Sequence, residues 1–126
     1  MTLGGVGLAA ALVIGAGSAA FASDPPFLGD WARGDGKTHI RVVRCGGEVC
    51  ALNTWVRSGV AGEKIGDRLT FEITAANAAS WSGSAFDPQR NQTYIMSVHV
   101  ENDRMTTDGC TMGGLMCRSM SWRRLN

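Results

Sequence analysis

The four cysteines have the most chemistry to offer. They fall as Cys45-Gly-Gly-Glu-Val-Cys50 and Cys110-Thr-Met-Gly-Gly-Leu-Met-Cys117. Thiols grouped in this way either oxidise to disulfides or bind a metal. A four-cysteine zinc site takes pairs separated by about two to four residues. The first pair reaches the upper end of that range and the second lies outside it, so no metal site is expected. An even cysteine count in a short exported chain reads as disulfides. Of the three possible connectivities, the local one, Cys45–Cys50 and Cys110–Cys117, is expected, because each pair flanks a Gly-Gly at which the backbone can double back. Loops this small stabilise by about 2 kcal/mol each in the chain-entropy model, so their role is to pin a turn.

The remaining candidates for chemistry are sparse. His39 and His99 are the two histidines, and both fall opposite the apolar faces of their segments, where a histidine is ordinary surface. Asp35, Asp87 and Asp108 stand in turns or at strand ends, positions that Asp favours for local hydrogen bonding. Gly34-Asp35-Gly36-Lys37-Thr38 echoes the end of a phosphate loop but lacks the upstream glycine and the strand–loop–helix setting. Asn91-Gln92-Thr93 has the form of a glycosylation acceptor and reads better as a turn. Arg41, Arg44, Arg118, Arg123 and Arg124 make up the basic complement of the extended segments. One or two of them inside a barrel would suit a carboxylate; a solvated face or rim is the commoner outcome. Spacing argues for no acid–base pair, activated nucleophile or cofactor site, so no enzyme is expected.

The chain has 126 residues, with 12 Lys and Arg against 11 Asp and Glu, 44% apolar content and 17 glycines. That length supports one domain. A net charge of +1 argues against a general nucleic-acid binder, which needs clustered basic charge. After residue 23 the sequence shows short alternation bounded by Gly, Asp and Asn, and no helical stripe. Thr38, Ile40 and Val42 form one face; Val49, Ala51, Asn53 and Trp55 the next. Leu69, Phe71 and Ile73 follow, then Ala79, Trp81, Gly83 and Ala85, then Tyr94, Met96, Val98 and Val100. Met105 sits in a short strand over 104–108, and Met116, Met120 and Trp122 mark the last. Turns are expected at 33–37, 86–91 and 101–103. With a first strand near Trp31, this makes about eight short antiparallel strands. They close most economically into a small up-and-down β-barrel; a two-sheet β-sandwich is the alternative.

Residues 1–22 carry no charge. Leu8–Ile14 supplies an apolar stretch and Ala20-Phe21-Ala22 a small-residue cleavage site, so 1–22 is expected to be a signal peptide cleaved after Ala22. No Lys or Arg precedes the apolar stretch. A retained anchor is the rival reading, but the five glycines and seven alanines in this segment make it a weakly apolar span. Residues 23–126 then form a single exported domain with no stable membrane span, expected in the periplasm of a Gram-negative envelope or secreted.

In order, Gly29-Asp30-Trp31, Asp35-Gly36-Lys37, Arg44-Cys45-Gly46-Gly47-Glu48-Val49-Cys50, Trp81-Ser82-Gly83, Phe86-Asp87-Pro88, Thr93-Tyr94 and Ser121-Trp122-Arg123-Arg124 follow one pattern. It resembles the bacterial family catalogued as domain of unknown function 2147, small exported proteins, over nearly all of residues 27–125. The resemblance implies a calycin-like β-barrel related in shape to lipocalins, and implies no established activity. Gly29-Asp30-Trp31 looks like the G-x-W element of such barrels, whose Trp packs across the closed end under an Arg of the final strand. Arg124 is the matching residue, so Trp31 and Arg124 are expected to touch, in a cation–π contact worth about 0.5–2 kcal/mol. The segment between Trp55 and Leu69 is shorter than in many relatives, which bears on the size of any ligand.

Trp55, Trp81, Tyr94, Met96 and Trp122 are the candidates to line a cavity for an apolar ligand. In a barrel of this length they equally serve to fill the interior, and the residue count leans slightly toward filling. Two functions follow. One is a periplasmic binding module for a lipid or other hydrophobic small molecule. The other is a non-enzymatic envelope structural or interaction protein with a filled barrel, presenting its disulfide-pinned turns.

Overall fold

The structure, a computed structural model, describes residues 24–125. The expected signal peptide therefore lies outside the described residues. Eight strands follow in chain order: β1 (Gly29–Arg33), β2 (Thr38–Cys45), β3 (Glu48–Val56), β4 (Arg68–Asn77), β5 (Ser80–Asp87), β6 (Gln92–Glu101), β7 (Arg104–Thr111) and β8 (Cys117–Leu125). Each pairs antiparallel with its sequence neighbour, and β1 also pairs with β8. The sheet thus closes on itself as a single barrel, and the sandwich alternative does not form.

The closure follows from the period-2 pattern. One face of most strands is apolar (β7, with Met105, Thr107, Gly109 and Thr111 inward, is the mixed one), and a closed sheet is the arrangement that buries those faces while leaving no edge unpaired. Ile40 and Val42, Ala51, Phe71, Ala85, Val98 and Val100, Met105 and Trp122 meet in one core cluster. Apart from the long β3–β4 loop, residues 57–67, the turns are short and use residues suited to them. Asn91 (φ 52°) and Asn102 (φ 56°) take the left-handed conformation, which Asn tolerates better than most residues. β7 runs three residues beyond the expected 104–108, and Met116 belongs to the turn before β8.

Both disulfides are the local ones, Cys45–Cys50 across the β2–β3 turn and Cys110–Cys117 across the β7–β8 turn. They sit at opposite ends of the barrel, and two such bridges fit an oxidising compartment. At the Cys45–Cys50 end the barrel is shut. Residues 25–28 cross this end, and Trp31 Nε1 donates to Phe27 O at 3.0 Å. Arg124 lies over the Trp31 ring, 4.2 Å from its centroid, and donates to Leu28 O at 3.0 Å and Pro26 O at 2.5 Å. The expected Trp31–Arg124 contact is therefore present, and it fastens the plug as well as the strands. Gly29 (φ 124°) starts β1 beneath this clasp; a Cβ there would stand 3.0 Å from the Arg124 guanidinium.

Candidate functional site

The opposite end, where β1, β3, β5 and β7 finish, is open. A cavity of about 650 Å³ runs from it into the barrel, within the ~300–1,000 Å³ of small-molecule sites. Its deep wall is apolar: Ile40, Val42, Phe71, Val98, Met105 and Trp122, with Phe27 of the plug also contributing. Its upper wall carries Tyr94, Met96 and Met120, then charged residues at the mouth.

The five expected lining residues separate. Tyr94, Met96 and Trp122 border the cavity; Trp122 is braced by a 3.0 Å bond from its Nε1 to Thr107 Oγ1. Trp55 does not border it. His39 pairs with Trp55 and Ile40 with Asn53, so β3 carries one extra residue at Thr54. This bulge reverses the alternation, placing Trp55 outside, 40% exposed and against His39 with ring centroids 4.7 Å apart. Trp81 faces inward but sits too far toward the shut end. It meets Phe27 edge-on at 4.9 Å and belongs to the plug packing rather than to the cavity wall.

The polar groups of the mouth are a set that the alternation did not mark. Arg33 donates to both Glu63 carboxylate oxygens, at 3.1 and 2.8 Å, and through Nε to Asp35 at 3.0 Å. The hydroxyl of the buried Thr38 donates to the same Glu63 at 2.5 Å. Asp87 is 3% exposed and accepts from Arg90 Nη1 at 2.8 Å and from the backbone and side chain of Gln89 at 2.9 and 2.6 Å. Arg90 also donates to Gly62 O. Glu63 and Gly62 belong to the β3–β4 loop, residues 57–67, so these contacts tie that loop across the rim. The Asp87-Pro88-Gln89-Arg90 run reads as a turn from sequence. Its second role, anchoring a loop 28 residues away in the chain, has no local signature.

Of the arginines named from sequence, only Arg118 borders the cavity. Arg41 pairs with Asp30, and Arg44 with Asp24, on the outer surface. Arg123 points outward and Arg124 belongs to the clasp. Arg118 enters no ion pair among the described residues. His99 is on the outside, bonded to Ser80 at 2.9 Å. Among the described residues no group of three or more His, Cys, Asp or Glu is placed to hold a metal.

The mouth carboxylates stay ionised. The bidentate Arg33 bond holds the Glu63 carboxyl below its usual range, outweighing its partial burial. Burial pushes Asp87 up, but hydrogen bonds from Arg90 and Gln89 outweigh it and the net shift is down. A carboxyl whose pKa is depressed in the folded state contributes stability above its unfolded pKa and loses it as pH falls through the folded value. The barrel is therefore expected to lose stability on acidification through and below the ordinary carboxylate range. Glu63→Gln is expected to flatten part of that acid limb. Thermal melts of both forms between neutral and strongly acid pH check this; parallel pH profiles would remove Glu63 from the account.

The bacterial family described as "Uncharacterized protein conserved in bacteria (DUF2147)" matches residues 29–124. The chain belongs to that family. The matched span runs from Gly29, at the base of the clasp, to Arg124, which closes it, so the DUF2147 unit coincides with the closed barrel. Among solved structures, a redesigned β-barrel is similar over 77% of this chain and 86% of its own, at 12% identity and a TM-score of 0.49. Among curated proteins, none matches this DUF2147 chain. No helix of the described residues is long and apolar enough to cross a membrane.

Proposed function

We propose that this DUF2147 protein is an exported, non-enzymatic binding module of the bacterial envelope, resident in the periplasm, whose barrel holds a lipid or another predominantly apolar small molecule. The observation that carries this reading is the cavity of about 650 Å³, apolar in its depth and charged at its mouth. An interior lined by Ile40, Val42, Phe71, Val98, Met105 and Trp122 offers an apolar chain a place out of water at no loss of hydrogen bonds. Glu63 and Asp87 are already paired with Arg33 and Arg90, and Arg118, which borders the cavity outside any ion pair among the described residues, as does Arg68, is open to an anionic head group. A filled barrel presenting only its surface would have no use for such a volume.

The test combines extraction with displacement. Protein purified from the periplasm is extracted with organic solvent and the extract is read by mass spectrometry, expecting a stoichiometric lipid. Delipidated protein is then titrated with a fluorescent apolar probe such as N-phenylnaphthylamine. Ala85 borders the cavity and is buried, so Ala85→Phe is expected to weaken probe binding about tenfold or more by occupying the site. Arg118→Glu is expected to weaken a fatty acid about tenfold and leave the neutral probe unchanged. A folded wild-type protein that carries no lipid and binds neither ligand would overturn the reading.

A further inference from the structure

The open end carries a second feature that the cavity does not account for. The β7–β8 turn lifts Met112 and Leu115 into solvent at 62% and 90% exposure, away from the cavity lining, with Met116, which does border the cavity, beside them at 71%. Ile65, in the β3–β4 loop, is exposed at the same end at 67%. Large apolar side chains gathered at one end at these exposures mark an interaction surface.

The turn is also braced by hydrogen bonds. Thr111 N donates to Met116 O at 2.8 Å, Gly114 N to Thr111 O at 2.8 Å, and Met116 N to Thr111 Oγ1 at 3.3 Å. The Cys110–Cys117 disulfide closes it at the base. Chain order and covalent bracing thus fix an apolar tip that projects from the rim.

Charge surrounds the tip. Lys37, Arg57, Lys64 and Arg118 all lie at this end and are exposed, and none forms an ion pair among the described residues. The other end differs in its balance of charge: there Arg44 is paired with Asp24, Arg124 is engaged in the clasp, and Arg104 and Arg123, which form no ion pair among the described residues, share the end with Glu48, Glu101 and Asp103. Small apolar insertions ringed by free cations match the two layers of an anionic bilayer surface, acyl boundary within and phosphate without. A second copy of the chain fits less well, because like-charged rims would face each other. A few side chains on one turn also fall well short of the ~800 Å² per partner that a stable dimer buries.

We infer that the open end of the barrel docks on the surface of an anionic phospholipid bilayer, with Met112 and Leu115 inserted and Lys37, Arg57 and Lys64 against the lipid phosphates. This goes beyond the proposed function, and it holds whether or not the cavity is loaded, since neither Met112, Leu115, Lys37 nor Arg57 borders the cavity.

Co-sedimentation with vesicles tests it. The full chain after leader removal is expected to sediment with phosphatidylethanolamine–phosphatidylglycerol vesicles and to stay in solution with phosphatidylcholine alone. Met112→Ser with Leu115→Ser is expected to lower partitioning about tenfold or more, from the lost apolar burial. Lys37→Glu with Arg57→Glu is expected to lower it by a similar factor and to remove most of its salt dependence. All four positions are exposed, and unchanged thermal melts and N-phenylnaphthylamine titration show that fold and cavity survive. Failure to sediment, sedimentation indifferent to these substitutions, or a dimer in sedimentation equilibrium that Leu115→Ser dissolves would each overturn the inference. Failure of cavity binding alone leaves it standing.

Discussion

Trp31→Ala is expected to cost about 3–5 kcal/mol of unfolding free energy, the range of large aromatic deletions from packed interiors. In a domain of this size that lowers Tm by roughly 15–30 °C. Trp31 has no exposed surface, so the deletion leaves a void at the shut end. It also removes the Nε1 donor to Phe27 O and the ring beneath Arg124. Phe27 O then loses its partner in a place where water reaches poorly, which adds to the loss. Trp31→Phe separates the parts: most of the volume stays while the hydrogen bond goes, so a loss of about 1–2 kcal/mol is expected. Urea unfolding followed by circular dichroism reads both. A change below about 1 kcal/mol for Trp31→Ala would mean that the plug is not structurally coupled to the barrel.

Gly83→Ala is expected to have an effect of comparable size for a different reason. Gly83 stands on β5 at φ 157°, and a Cβ there would lie 2.0 Å from the backbone oxygen of Glu72 and 3.0 Å from the Ile73 Cα. Both obstacles are main-chain atoms of β4, directly across from Ile73↔Gly83 in the register. Neither can swing aside as a flexible side chain would. Accommodation means prising β4 from β5 at the middle of their ladder, at about 3 kcal/mol or more, through overpacking and backbone strain together. The Trp-Ser-Gly run of the sequence thus has a steric reason for its glycine. Ala85→Gly on the same strand provides a contrast, because it removes a side chain instead of adding one. A Gly83→Ala protein that melts within a few degrees of wild type would show that the two strands separate cheaply there.

What could be read from sequence followed from what is periodic or local. Thr38, Ile40 and Val42 on β2 and Val98 and Val100 on β6 alternate without interruption, and each is buried as the pattern requires. The cysteine pairs are separated by few residues and flank glycines, so their bridges needed no knowledge of the rest of the chain. Trp31 and Arg124 are far apart in sequence and were linked through the family pattern; spacing had nothing to say about them. Trp55 shows where alternation stops being informative. One extra residue at Thr54 reverses the two faces, and nothing in Leu52-Asn53-Thr54-Trp55 marks the position of a bulge. Trp81 shows a second limit: parity fixes whether a side chain points inward, while its depth depends on the stagger between strands. Glu63 lies in an irregular loop and meets Arg33 across 30 residues, so neither local composition nor period identifies it as part of the rim.

The order of strands around the barrel has a consequence for how the molecule is made. Seven of its eight ladders join segments that are adjacent in the chain and can form as successive hairpins. The eighth, β1 against β8, joins Trp31 to Arg124 in direct register, and the plug contacts across it span 96 residues. The entropy of closing a long loop is therefore concentrated at one seam. A meander of seven strands can assemble by local steps yet still lack a sealed interior. The seam turns this open curl into a container, and the Trp31–Arg124 clasp is placed on it. Folding rate and resistance to opening are then governed by the same few contacts, and an assembly caught before seam closure would expose two unpaired edges to its neighbours.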